Sequence, residues 1–186
     1  HVKIKKTEEN KVKRIVTGHD KNGKSIFVKV GEPEHVIESP GRVWKELWAT
    51  YSNAKVPIDA SIEPTKTDQW KSIFPVPGET RIRVVEFDPA KLAEVANLPE
   101  NEQQELGDQI GKELPGLMEH METDSPGMHT TDSVDYGVVI SGKLALELDD
   151  GETVDLEAGD VVIQNGTRHA WRYKEKCTML WVLIGA

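Results

Sequence analysis

The chain has 186 residues, 37% of them hydrophobic, with 32 acidic against 23 basic side chains and a formal net charge of -9. That is long enough for one large domain with a buried core, and too acidic for general nucleic-acid binding, which needs clustered Lys and Arg. No apolar run approaches the roughly 20 residues that cross a bilayer, so neither nucleic acid nor membrane is an expected partner. Cys177 is the only cysteine; this excludes an intramolecular disulfide and, with no leader-like segment, suits a reducing, cytoplasmic location.

Residues 1–30 carry nine Lys or Arg against three acids, which reads as a flexible arm over 1–10 in front of a single domain over 11–186. Lys11 to Val16 and Ser25 to Val30 are β-branched runs separated by turn formers, Gly18, Asn22 and Gly23, and predict a hairpin. Between 31 and 80, Pro33, Pro40, Pro57, Pro64, Pro75 and Pro77 exclude long helices and confine strands to short or edge pieces. Within this segment Val43 to Thr50 is an aromatic-rich strand. Trp44, Trp48 and Trp70 are expected to cover an open sheet face or a subunit contact.

Arg81 to Phe87 predicts a further strand, with Ile82, Val84 and Glu86 alternating against Arg83, Val85 and Phe87. A helical insertion over 88–116 follows. Asp88-Pro89 supplies a cap and first helical position before Ala90 to Ala96, and Pro99 with Glu100 and Glu102 opens a second helix through Glu113. Leu106, Ile110 and Leu114 fall on one face of it, which packs on the outside of a sheet or caps a site as a lid.

From Tyr136 onward the pattern is strongly β. Six short strands, Tyr136 to Ser141, Lys143 to Leu148, Thr153 to Leu156, Asp160 to Ile163, Ala170 to Tyr173 and Thr178 to Ile184, are separated by Ser-Gly, Asp-Gly, Ala-Gly and Asn-Gly steps of the kind that tight hairpins need. Turn signals at this interval indicate a sandwich or barrel, with Leu144, Leu146 and Leu148 sharing its inner face.

Two clusters bracket these strands. The first reads His129, Thr131, three residues, Asp135, six residues, Gly142; the second reads Gly159, four residues, Gln164-Asn165-Gly166, two residues, His169, three residues, Tyr173. This spacing resembles the two motifs of the cupin superfamily, small jelly-roll barrels that commonly hold one metal ion. His129, Gly142, Gly159, Gly166 and His169 match, Asp135 stands where Glu is usual, Thr131 replaces the second His, and the usual Pro and Asn of the second motif are absent. The resemblance implies a mainly β fold: a cupin jelly-roll barrel with its motif core over 127–184, an N-terminal β extension over 11–87, and the helical insertion between.

Two imidazoles and a carboxylate suit one divalent transition ion (Fe, Mn, Ni, Cu or Zn) and leave positions open for substrate. The expected ligands are His129, Asp135 and His169, with Asp135 also the expected catalytic carboxylate; the alternative for Asp135, one methylene shorter than Glu, is to act through water or to orient a histidine, with Asp132 in reserve. Thr131, Tyr136, Gln164 and Trp171 are the candidate substrate-binding residues, against a packing role for each. His19, His35 and His120 have no comparable partners and are read as surface or turn residues. The function expected is a metal-dependent enzyme acting on a small organic molecule, of lyase, isomerase, decarboxylase or dioxygenase type; the alternative is a metal-free cupin that binds a small molecule without catalysis. An apolar outer sheet, with Trp44, Trp48 and Val138 or Ile140 as candidates, points to a homodimer.

Overall fold

The computed structural model describes residues 12–186; the expected N-terminal arm lies outside this range. Eleven strands are described: β1 Arg14–His19, β2 Ser25–Gly31, β3 His35–Ser39, β4 Arg42–Thr50, β5 Thr80–Phe87, β6 Ser133–Ser141, β7 Lys143–Glu147, β8 Thr153–Glu157, β9 Val161–Asn165, β10 Ala170–Tyr173 and β11 Cys177–Gly185. Three helices, α1 Pro89–Ala96, α2 Glu100–Glu113 and α3 Leu117–His120, sit between β5 and β6. The protein is mainly β, and its strands form a six-stranded sheet (β3-β4-β5-β11-β6-β9), a three-stranded sheet (β10-β7-β8) and the β1-β2 ribbon. All pairings are antiparallel.

The two larger sheets bury their facing sides against each other. Trp44, Val85, Phe87, Val139, Met179 and Leu183 from one meet Leu144 and Leu156 from the other. Burial of this apolar surface, about 25 cal/mol for each Å², drives the closure. Leu144 and Leu146 face the core as expected. Leu148 does not: it lies past the end of β7, on the way into a tight turn, and is 37% exposed.

The first hairpin forms where the turn chemistry allows it. Asp20 Oδ1 accepts from the amides of Asn22 and Lys24 at 2.8 and 2.9 Å. Gly18 is not in the turn but inside β1, opposite Ile26, where a Cβ would come within 2.7 Å of the Val28 side chain. The ribbon is fastened by ion pairs: Arg14 donates to both oxygens of Glu63 at 2.9 and 2.7 Å, and Lys29 donates to Glu63 at 2.8 Å.

β3 was not legible as a strand, because Pro33 and Pro40 flank it closely; prolines outside a short edge strand leave its ladder intact. The helical insertion forms as the caps predict, with Asp88 accepting from the amide of Lys91. Its last turns do not stand off as a lid. Leu114, 1% exposed, and half-buried Ile110 and Leu117 pack on the barrel core beside Ile73.

The inner and outer faces follow from strand register. On β6, Ser133, Asp135, Gly137 and Val139 point inward, and Val134, Tyr136, Val138 and Ile140 outward. Trp44 is an inward residue, 8% exposed and part of the core, so it does not belong to an outer contact face. Trp48 lies beyond a register shift in β4, paired with Ile82 on the outer face.

Candidate functional site

His129 precedes β6 and His169 precedes β10, forty residues apart in sequence. They are joined as direct antiparallel partners: each backbone N–H donates to the other's carbonyl at 3.0 Å. In such a pair both side chains leave the backbone on the same side, and the two rings stand 4.2 Å apart at their centroids, tilted by 53°. The placement is therefore a property of the main chain. The bidentate bonds from Arg168 to Glu122, at 2.6 and 2.7 Å, hold together the two segments that carry the histidines.

Each ring has its Nδ1 against a backbone oxygen, His129 with Gly127 at 3.0 Å and His169 with Thr167 at 2.8 Å. With Nδ1 as the donor, the Nε2 lone pair is left over in both rings, the tautomer that metal-binding histidines adopt. Neither Nε2 has a partner among the described residues. Burial, and then the neighbouring imidazole of His129, pushes His169 down to about 4; burial also lowers His129. Both rings are thus neutral at pH 7.

Asp135 lies on the inner face, 7% exposed. Ser133 Oγ donates to its Oδ1 at 2.7 Å and Thr131 Oγ1 to its Oδ2 at 3.4 Å, the two hydroxyl oxygens lying 3.1 Å apart. Burial raises its carboxyl above the usual range, against the opposing pull of Ser133, Arg83 and His129. Among the described residues no three His, Cys, Asp or Glu side chains converge as a set that would hold a metal ion. Of the three expected ligands the two imidazoles are brought together, while Asp135 is drawn onto the hydroxyls. Aspartate is one methylene shorter than the glutamate usual at this position, which accounts for the shortfall.

Of the candidate binding residues, Thr131 and Gln164 are buried on the inner face at 4% and 3% exposure. Gln164 Oε1 accepts from Thr167, and its Nε2 is buried with no partner. Trp171 stands edge-on to His169, with centroids 5.4 Å apart, and edge-on to Trp181 in turn at 5.8 Å. Tyr136 is misplaced by the sequence reading. It follows Asp135 directly on a strand, so it points to the opposite face, where it is 41% exposed.

Two groups escaped sequence reading. His120, at the end of α3, packs against Phe74 with ring centroids 4.3 Å apart and planes tilted by 45°, and lies close enough to act electrostatically on His129. Glu46 and Arg83 are paired and fully buried within the barrel. Neither has a spacing signal, since each depends on a contact between distant segments.

Residues 117–183 match the Cupin domain family. That stretch carries a cupin domain. Phomopsin biosynthesis cluster protein C' of Diaporthe leptostromiformis is 29% identical over 167 residues, covering 86% of this chain and 69% of that protein. The cupin-domain-containing oxidoreductase fogC of Aspergillus ruber is 26% identical over 164 residues, covering 87% and 64%. Among solved structures, a putative ethanolamine utilization protein q of Salmonella typhimurium aligns at 12% identity and a TM-score of 0.41, over 95% of this chain and 98% of that one. No helix of the described residues is long and apolar enough to cross a membrane.

Proposed function

We propose that this cupin domain is a metal-dependent enzyme acting on a small organic molecule held between its two sheets. The observation that carries the reading is the imidazole pair: two neutral rings locked together by the main chain, each with Nδ1 engaged by a backbone carbonyl and Nε2 unpartnered. His129 and His169 would hold one divalent transition ion, and that ion, when bound, polarises a substrate oxygen as a Lewis acid. Asp135 acts from the next layer, where Ser133 and Thr131 fix its carboxyl for moving a proton. The Gln164 amide N–H orients a substrate oxygen, and Trp171 is the apolar wall beside His169. The names of the relatives, cupin-domain-containing oxidoreductases and products of biosynthetic clusters, favour redox chemistry on a small metabolite over the other reaction types.

Elemental analysis of untagged protein tests this. About one transition metal per chain, lost in both His129→Ala and His169→Ala, supports the enzyme. The absence of a three-donor cluster among the described residues favours the second reading, a binding protein without catalysis. Metal-free protein that still takes up a small ligand would decide for it.

A homodimer belongs to the same proposal. Trp48, Ile82, Val182, Tyr136 and Ile163 follow one another across five strands of the outer face. They form a charge-free strip about 20 Å wide at the usual strand spacing, and a second copy is the partner whose surface matches such a strip by symmetry. Light scattering reads it: a dimer is expected for the wild type and a monomer for Tyr136→Glu, and a monomeric wild type removes the assignment.

A further inference from the structure

The inner face of the six-stranded sheet carries a buried ion pair that packing alone does not require. Glu46, Arg83, Trp181, Gly137 and Val162 are successive partners across β4, β5, β11, β6 and β9. Glu46 is 0% exposed and Arg83 2%. Removing both charges from water costs more than an apolar pair of similar volume would, so their retention calls for another role.

The guanidinium is held on three sides. Its Nε faces Glu46 Oε1 at 3.0 Å, its Cζ lies over the Trp44 ring 4.9 Å from the ring centre, and Nη2 donates to the carbonyl of Ile73. Trp44 Nε1 donates to the same Glu46 oxygen at 2.7 Å, fixing the carboxylate in turn. Nε and Glu46 Oε2 each make no hydrogen bond, and Nη1 is left without a hydrogen bond to any described residue. So is the indole Nε1 of Trp181, the direct cross-strand neighbour of Arg83; it lies over Gly137, where a Cβ would stand 3.1 Å from it. Asp135, two residues before Gly137, is near enough for its charge to act on Arg83, which places the guanidinium beside the imidazole site rather than in a separate compartment.

We propose that Arg83, backed by Glu46 and Trp44 and flanked by Trp181, is the subsite that takes the carboxylate of a small organic acid bound in the barrel. A charged, pre-oriented N–H donor beside a neutral one, in a water-poor interior, is the arrangement that reads a planar oxyanion. Glu46 serves as the resident counter-ion when no acid is bound. This assigns a substrate class to the site, and rests on the small-molecule reading given above.

Calorimetry on the full chain with benzoate and its neutral analogue benzamide tests the subsite. The wild type is expected to bind benzoate in the millimolar range and benzamide at least about tenfold more weakly. Glu46→Gln removes the competing anion and tightens benzoate several-fold. Arg83→Met leaves Glu46 unpaired and risks the fold, so the decisive variant is the double Arg83→Met/Glu46→Gln, which carries neither charge; its preference for benzoate is expected to vanish. Equal affinity of the two probes for the wild type, no benzoate binding at tens of millimolar, or a preference that survives in the double variant each overturns the proposal. The imidazole reading is scored separately, by the His129 and His169 ring nitrogen signals. If benzoate binds through Arg83 while these stay unchanged with added metal, the catalytic reading falls and the acid subsite stands; if they respond to metal while Arg83 shows no role, the reverse holds.

Discussion

Acidification of the metal-free protein is expected to unlock the histidine pair. His169 is 2% exposed and its imidazole is held down to about 4, against about 6.5 in an unfolded chain. Between those two values the unfolded chain binds the proton and the folded one does not, so stability is fully present above about pH 6.5 and drains away as the pH falls toward 4. The linkage amounts to about 2 kcal/mol by pH 5 and about 3 kcal/mol by pH 4, a large share of an ordinary domain's 5–15 kcal/mol. Glu63 adds acid sensitivity only at lower pH: burial opposes its ionisation, but bonds from Arg14, Lys29 and Thr65 outweigh this and keep its carboxyl far below the usual range. Urea titrations of wild type and His169→Asn at pH 7.5 and 5.0, after dialysis against a chelator, isolate the term. The variant should lose about 2 kcal/mol less than the wild type between the two conditions. Losses equal to within about 0.5 kcal/mol would refute the assignment of a buried, neutral His169.

Three further outcomes are expected. Gly142→Ala places a side chain at φ +80°, 2.7 Å from Cys177 Cα and closer still to the Lys176 carbonyl, and should cost at least about 3 kcal/mol in urea unfolding; a loss below about 1 kcal/mol contradicts the turn geometry. Cys177 is 1% exposed and its thiol is pushed up to about 11 by burial and the nearby Glu175, so a disulfide reagent at pH 8 should label it about two orders of magnitude more slowly than in denaturant. Comparable rates would place it at the surface. Arg14→Ala removes the bidentate grip on Glu63 and should speed amide exchange across Arg14–His19 and Ser25–Gly31 while leaving Cys177–Gly185 protected; an even change over all strands would mean that the ribbon is not separately fastened.

The fold was legible where turn chemistry is local. The Gly steps from Gly142 to Gly166 delimited the C-terminal strands to within a few residues, and the spacing of His129 and His169 against those glycines located the imidazole pair. What was lost is non-local or depends on which face of a strand a residue takes. Period two separates Asp135 from Tyr136, but only the pairing of β6 with β9 and β11 says which of them looks inward. Arg83 read as an ordinary strand residue and Glu46 passed unremarked, because charges are seldom buried unless paired, and the pairing spans 37 positions. Asp135 was read as a ligand because nothing in its spacing shows that Ser133 and Thr131 occupy its oxygens.

The reciprocal amide bonds between His129 and His169 make the site a clasp of two hydrogens. Replacing either imidazole leaves the other where it was, so single substitutions report on chemistry without collapsing the geometry. Anything that bridges the rings must also hinder that clasp from opening, and the exchange of these two amide hydrogens becomes a gauge of occupancy that can be read without knowing what the protein turns over.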